Sequence, residues 1–119
     1  MKLQPFDVVV LPFPFTDKSQ QKRRPALVLS DASFGAQVGH SVLAMITSEE
    51  NAGWSLDVVL QDLASAGLSA PSVVRMKLFT LDHHFIIRQI GSLAKADRQK
   101  VLLSLQQLFE GAELRLAHQ

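Results

Sequence analysis

Lys22-Arg23-Arg24-Pro25 is the cluster in this sequence with the clearest chemical capacity. A guanidinium offers a planar fork of donors that grips phosphate oxygens in pairs, and it stays charged at any physiological pH. Pro25 biases Arg24 toward an extended backbone. Arg24 therefore stands at the end of a polar loop and the start of a strand, a placement suited to aiming at a fixed phosphate. The pattern alone leaves open an ordinary solvated basic loop. Ile46-Thr47-Ser48 closes an apolar run with two adjacent hydroxyls, which can donate to or accept from a phosphate or a ribose 2′-OH. Such residues are also common at strand ends. Arg75 lies inside the apolar run Ser72–Met76 (SVVRM). A charge there must be paired or must line a cleft, because burying it alone is costly. A paired Arg75 would find its partner among the acids between 49 and 62.

Other chemistries lack their residues. His83 and His84 are adjacent, so on a helix neither faces the other and on a strand they point to opposite faces. They read as solvent-facing or partly packed. No HxxxH or ExxH spacing suggests a metal site, and with no cysteine there is neither a disulfide framework nor a zinc–thiolate site. GxSxG, GxxxxGK[ST] and GxGxxG are all absent, which argues against serine hydrolase chemistry and glycine-loop nucleotide binding.

The elements that must position these residues are mostly short strands. Phe6–Phe15 (FDVVVLPFPF) predicts a strand of about six residues that ends, or becomes an edge, at Pro12. Thr16–Arg23 reads as a polar loop, Pro25–Ser30 as a strand, and Asp31–His40, with Gly35 and Gly39, as a turn-rich connection. Ser41–Ser48 is apolar enough to be a strand buried on both faces. Glu49–Ser55 reads as a loop, Leu56–Leu60 as a strand, and Gln61–Pro71 as a connection with room for a helical turn. Ser72–Met76 and Phe85–Ile90 predict two further strands. Between Ala96 and Phe109, the residues Val101, Leu102, Leu105, Leu108 and Phe109 recur at helical spacing and form one face. Asp97 falls in the first turn, where it suits the helix dipole, and Gly111 stands where a left-handed C-cap would serve. Strands followed by one terminal helix point to a mainly β fold, a small twisted β-barrel with a C-terminal α-helix packed against it.

The chain has 119 residues, 47% apolar and 19% charged, which bounds it to one folded domain over 1–119 and excludes a disordered chain. No segment approaches a membrane span, and an acid and two prolines make Phe6–Phe15 a poor signal-peptide core. Absence of cysteine suits a reducing cytoplasm. The net charge of +1 conceals +3 over residues 1–30, −5 over 31–70 and +3 over 71–119. This is not the domain-wide basic excess of a general nucleic-acid binder, but folding can bring the two basic blocks together around a local anion site.

Taken in order, DVVVLPFPFTD (Asp7–Asp17), KRRPALVLS (Lys22–Ser30), LAMITS (Leu43–Ser48), GLSAPSVVR (Gly67–Arg75), TLDHHFIIRQIGSL (Thr80–Leu93) and the closing amphipathic helix resemble the MazF/PemK family of toxins from type II toxin–antitoxin pairs. The resemblance covers Phe6 to about Gly111. It implies an SH3-like β-barrel that forms a homodimer in the cytoplasm. It also implies a sequence-specific endoribonuclease (an mRNA interferase) that cleaves single-stranded RNA without metal or cofactor. The implied partner is a cognate antitoxin whose tail covers the active site. By position, Arg24 and Thr47 resemble the catalytic pair, and Lys22, Arg23, Ser48 and Arg75 fall where the resemblance implies contacts to RNA. The implied reaction is attack of a ribose 2′-OH on its own 3′-phosphate, giving a 2′,3′-cyclic phosphate and a 5′-OH.

The sequence departs from the family pattern at four places. Phe6-Asp7 replaces the usual Gly-Asp, Lys77 stands where some members carry an acid, Phe79 stands where many have arginine, and Thr16–Arg23 contains no histidine. Two other readings share the barrel: a gyrase-inhibiting toxin acting through its terminal helix, and a catalytically decayed module that still binds an antitoxin.

Overall fold

The six strands among the described residues join one antiparallel sheet, in the order β4-β5-β3-β2-β1-β6. The computed structural model describes residues 2–13 and 22–112. Its elements are β1 (Asp7–Phe13), β2 (Lys22–Val28), α1 (Ala32–Val38), β3 (His40–Ser48), β4 (Val58–Val59), α2 (Leu63–Ala66), β5 (Ser72–Asp82), β6 (Arg88–Ser92) and α3 (Lys95–Leu108). The sheet curls into a half-barrel with α3 at its C-terminal end, as the strand pattern and terminal helix predicted.

Successive side chains of a strand point to opposite faces, and here both faces are covered. Val8, Leu27, Ala44, Ile46 and Val74 pack with Ala66 of α2, Leu93, and Val101 of α3. Their neighbours Val9, Leu11, Ala26, Val28 and Leu43 pack on the other face with Leu3, Leu81 and Ile86. Double coverage explains why β1 and β3 are apolar without alternation. Pro12 is tolerated because β1 pairs with β6 only over Asp7–Val10, so past that point one side of β1 is an edge.

Several boundaries differ from expectation. β2 begins at Lys22, so Arg24 is the third residue of a strand, opposite Leu11, and not at its mouth. The expected loop over 16–23 lies outside the described residues except for its last two. Asp31–His40 contains a helix: Asp31 caps α1 by accepting from the Ser33 amide, and Gly39 ends it in the left-handed region at φ 69°. The expected strand Leu56–Leu60 shrinks to Val58–Val59. β5 runs on past Met76 to Asp82, because Leu78–Asp82 pair with His40–Ala44 of β3 beyond a register shift that leaves two extra residues, Met76 and Lys77, on β5. The last strand starts three residues later than expected, since His83–Phe85 form a 3₁₀ turn.

The helix faces also needed correction. α3 turns Asp97, Val101 and Ser104 inward, while Leu102, Leu103, Leu108 and Phe109 are exposed. The fully buried Asp97 does more than complement the dipole: its carboxylate accepts from the Gln61 and Asp62 amides, which lead into α2. Gly111 has no left-handed backbone. No helix among the described residues is long and apolar enough to cross a membrane.

Phe6 has a left-handed backbone, φ 73°, at the position where the resembled family carries glycine. Such a conformation costs a non-glycine residue about 1–2 kcal/mol. It is held by the Phe6 amide donating to Val28 O at 2.7 Å and by Phe6 O accepting from the Leu93 amide at 3.0 Å. The ring lies beneath the Arg98 guanidinium, 5.6 Å from its centroid.

Candidate active site

β2 and β3 pair from Val28↔Leu43 to Ala26↔Met45 and then part. Arg24 and Thr47 each lie two residues beyond the last pair, Ala26↔Met45. The gap opens into two clefts, and both residues line both of them, together with Ile46. The larger cleft, about 420 Å³, adds Arg23, Arg88, Ser48 and the segment Gly67–Ser72. The smaller, about 150 Å³, adds Phe13, Arg75 and Lys77. Neither lining contains an Asp or Glu among the described residues, so each cleft favours an anion.

Arg24 has a buried Nε with no hydrogen-bond partner among the described residues. A buried donor left unpaired costs about 1–3 kcal/mol, and native structures keep few of them. Lys22 and Arg23, paired with Phe13 and Pro12 of β1, are exposed at the same end of the sheet.

Thr47 is held from the loop that follows β3. Asn51 Nδ2 donates to Thr47 Oγ1 at 3.3 Å. Ser48 caps the 3₁₀ turn Glu49–Asn51, its Oγ accepting from the Glu50 amide at 3.3 Å. Arg75 ties down the rest of the loop. Its Nε donates to Asp57 Oδ1 at 3.1 Å, and one terminal nitrogen donates to Asp57 Oδ2 at 2.9 Å and to Asn51 O at 2.7 Å. Its guanidinium also lies over the Trp54 ring, 4.8 Å from the centroid. The Arg75 side-chain hydrogen bond, reinforced by the Gly53 and Trp54 amides, holds the Asp57 carboxyl below the usual carboxylate range against the opposing effect of burial, and the same bond raises Arg75. Arg75 thus has the partner among residues 49–62 that its apolar setting allowed.

The far wall of the larger cleft is fixed by close packing. A Cβ on Gly91 would collide with the carbonyl carbon of Ala66 and with Ser65 O, and one on Gly67 with Ile90 O. Gly67 also has φ 73°, the left-handed value that ends α2. Direct backbone contact between α2 and β6 therefore positions Ser69–Pro71.

Arg24, Thr47, Arg23 and Ser48 come together at the larger cleft, and Lys22 flanks it. Arg75 reaches the smaller cleft with its fork turned to Asp57. Sequence reasoning passed over Arg88, Asn51 and the Ser69–Pro71 wall. Arg88 carried a usable signal, a charge within the apolar run FIIRQI like that of Arg75 in SVVRM. The histidines lie apart from this site: His83 Nε2 is 2.7 Å from Ser41 Oγ, and the exposed His84 meets the Phe85 ring edge-on. No group of three His, Asp or Glu side chains able to hold a metal ion occurs among the described residues.

A family model described as PemK-like, MazF-like toxin of type II toxin–antitoxin system matches residues 4–109. Among solved structures, a MazE–MazF structure from Deinococcus radiodurans superposes with a TM-score of 0.75 at 23% identity, covering 92% of this chain and 98% of that one. The Mycobacterium tuberculosis toxin MazF-mt6 superposes with a TM-score of 0.70 at 23% identity, over 87% of this chain and 96% of that one. A mycobacterial endoribonuclease in complex with its cognate antitoxin gives 0.68 at 13% identity, over 89% and 91%. No curated protein sequence matches.

Proposed function

The chain belongs to the PemK-like, MazF-like toxin family of type II toxin–antitoxin systems, and on that premise we propose that it is an endoribonuclease that cleaves single-stranded RNA without metal. One observation carries the reading: Arg24, whose buried Nε has no partner among the described residues, lines with Thr47 the two clefts, neither of which has an Asp or Glu among its described lining residues. An extended strand lying in both clefts passes over this pair. The phosphate at the crossing is the one attacked by its own 2′-OH. Charge then builds on the phosphorane oxygens, and a preorganised guanidinium aimed at developing charge is usually the largest catalytic contribution. Arg24 supplies it. Thr47 Oγ1, oriented by Asn51, positions the 2′-OH or a phosphate oxygen. Lys22, Arg23 and Ser48 extend the contact to the backbone, and Arg75 acts through the loop it anchors as well as by its charge at the smaller cleft. The products are a 2′,3′-cyclic phosphate and a 5′-OH.

Two partners accompany this reading. The first is a second copy of the chain, covering exposed apolar residues such as Leu102, Leu103 and Leu108 on α3. Light scattering at micromolar concentration should give twice the 13.1 kDa chain mass, and a lone monomer contradicts it. The second is a cognate antitoxin with an acidic tail that folds over the Arg24 cleft. Undiminished RNA cleavage in a saturated complex contradicts that.

The function itself is tested by incubating the purified chain with mixed-sequence RNA in EDTA. Discrete cuts that disappear in Arg24→Ala support it. An intact RNA beside a wild type that still arrests growth shifts the reading to a gyrase-directed toxin.

A further inference from the structure

We propose that Arg88 is a phosphate-binding residue of the larger cleft, holding the phosphate next to the one at Arg24 and Thr47. The inference rests on the ribonuclease reading above. Val10 of β1 is the register partner of both Pro25 on β2 and Arg88 on β6, and all three line the larger cleft. Register partners on neighbouring strands share a face of the sheet. Arg88 therefore stands two strand spacings from Pro25, about 10 Å across the sheet, on the cleft side.

Two arginines, Arg75 and Arg98, show what a structural role looks like in this molecule. Arg75 is bound to Asp57 and Asn51 O, and Arg98 donates to Leu93 O and Ser92 Oγ. Arg88 is exposed, and its guanidinium has no hydrogen bond or ion pair among the described residues. The cleft it lines holds Arg23 and Arg24 and no acid among the described residues. A free fork in that company fits a dianionic backbone segment better than an internal partner. The consequence is a direction for the substrate. The RNA crosses the sheet from β6 over β1 to the gap between β2 and β3, and the Ser69–Pro71 wall confines it on one side.

The test uses the full-length chain and an uncleavable mixed-sequence RNA with 2′-O-methyl sugars, titrated by fluorescence anisotropy at several salt concentrations. Arg88→Ala should weaken binding about tenfold. It should also flatten the slope of log K against log salt by about 0.7, the value for one phosphate contact on a single strand. On cleavable RNA, KM should rise while kcat stays within about twofold. Arg88→Lys should recover the salt slope, because the charge remains. An unchanged slope and KM in Arg88→Ala, beside a wild type that cuts normally, overturns this inference alone. A fall in kcat at constant KM overturns it too, since that marks an effect on the chemical step. A wild type that neither binds nor cuts RNA overturns the ribonuclease reading and this inference with it.

Discussion

Arg75 and Asp57 form a two-pronged ion pair, Nε to Oδ1 at 3.1 Å and a terminal nitrogen to Oδ2 at 2.9 Å, that pins the loop carrying Asn51 beneath Thr47. The pair links a charge inside an apolar strand to the orientation of a hydroxyl in the cleft. Because it holds Asp57 below its ordinary range, its contribution to stability is present above the unfolded carboxylate value of about 3.9. It is lost as pH falls through the lower folded value. Asp57→Asn should therefore melt below wild type at neutral pH, and the difference should shrink progressively below about pH 4. Thermal melts at pH 7 and pH 3 check this, and a gap that stays constant across that range contradicts it.

The contact between α2 and β6 gives a second expectation. Gly91→Ala drives a methyl into the backbone of Ser65 and Ala66, and overpacking of this kind costs about 1–3 kcal/mol. Because the displaced segment leads to the Ser69–Pro71 wall, RNA binding should weaken together with stability. Gly111→Ala, with nothing near its Cβ, is the control. Urea denaturation of the two variants decides, and equal midpoints contradict a tight contact at Gly91.

The fold was legible where one physical rule governs a segment. Double burial makes β1 apolar over Val8–Leu11 and β3 over Val42–Ile46, and both runs read as strands. The α3 helix was legible from spacing, and its orientation only in part: Val101 and Leu105 of the expected face meet the core, while Leu102, Leu108 and Phe109 do not. Ser104 donates to Leu56 O at 3.1 Å, and Asp97 turns inward to two amides, so polar residues share the packed face with Val101 and Leu105 while Leu102, Leu103 and Leu108 stay outside. Helix α1 was missed although Asp31 and Gly39 bracket it as N-cap and left-handed stop. Two glycines in ten residues suggested turns, yet Gly35 serves packing, since a Cβ there would press on the His83 ring. At the site, the apolar runs that Arg24 and Thr47 border made their places at strand ends legible, whereas the clefts that both residues line depend on how the strands pair and part, which no local pattern encodes. Asn51 was not, because its role depends on the path of a loop that sequence does not encode as a period.

A third expectation concerns the fork at Arg24. Arg24→Ala should lower kcat/KM by about 10²–10³ or more, the usual loss for one preorganised donor to an oxyanion. Arg24→Lys keeps the charge and loses the planar pair of donors, so it should remain severely impaired. Thr47→Val keeps the shape and loses the hydroxyl, and should fall less far. His84→Ala should be near wild type. If lysine restores most of the rate, long-range charge and not the fork sustains catalysis.

The identity of the nucleophile is the most direct point of attack. Two copies of one RNA, identical except for a 2′-deoxy sugar at the mapped cleavage position, are incubated with wild-type protein in EDTA and their ends are analysed. The unmodified strand should be cut to a 2′,3′-cyclic phosphate and a 5′-OH, while the deoxy strand should bind with similar affinity and stay intact. Cleavage of the deoxy strand at that position, or loss of all cleavage in EDTA, contradicts attack by the substrate's own hydroxyl at Arg24 and Thr47.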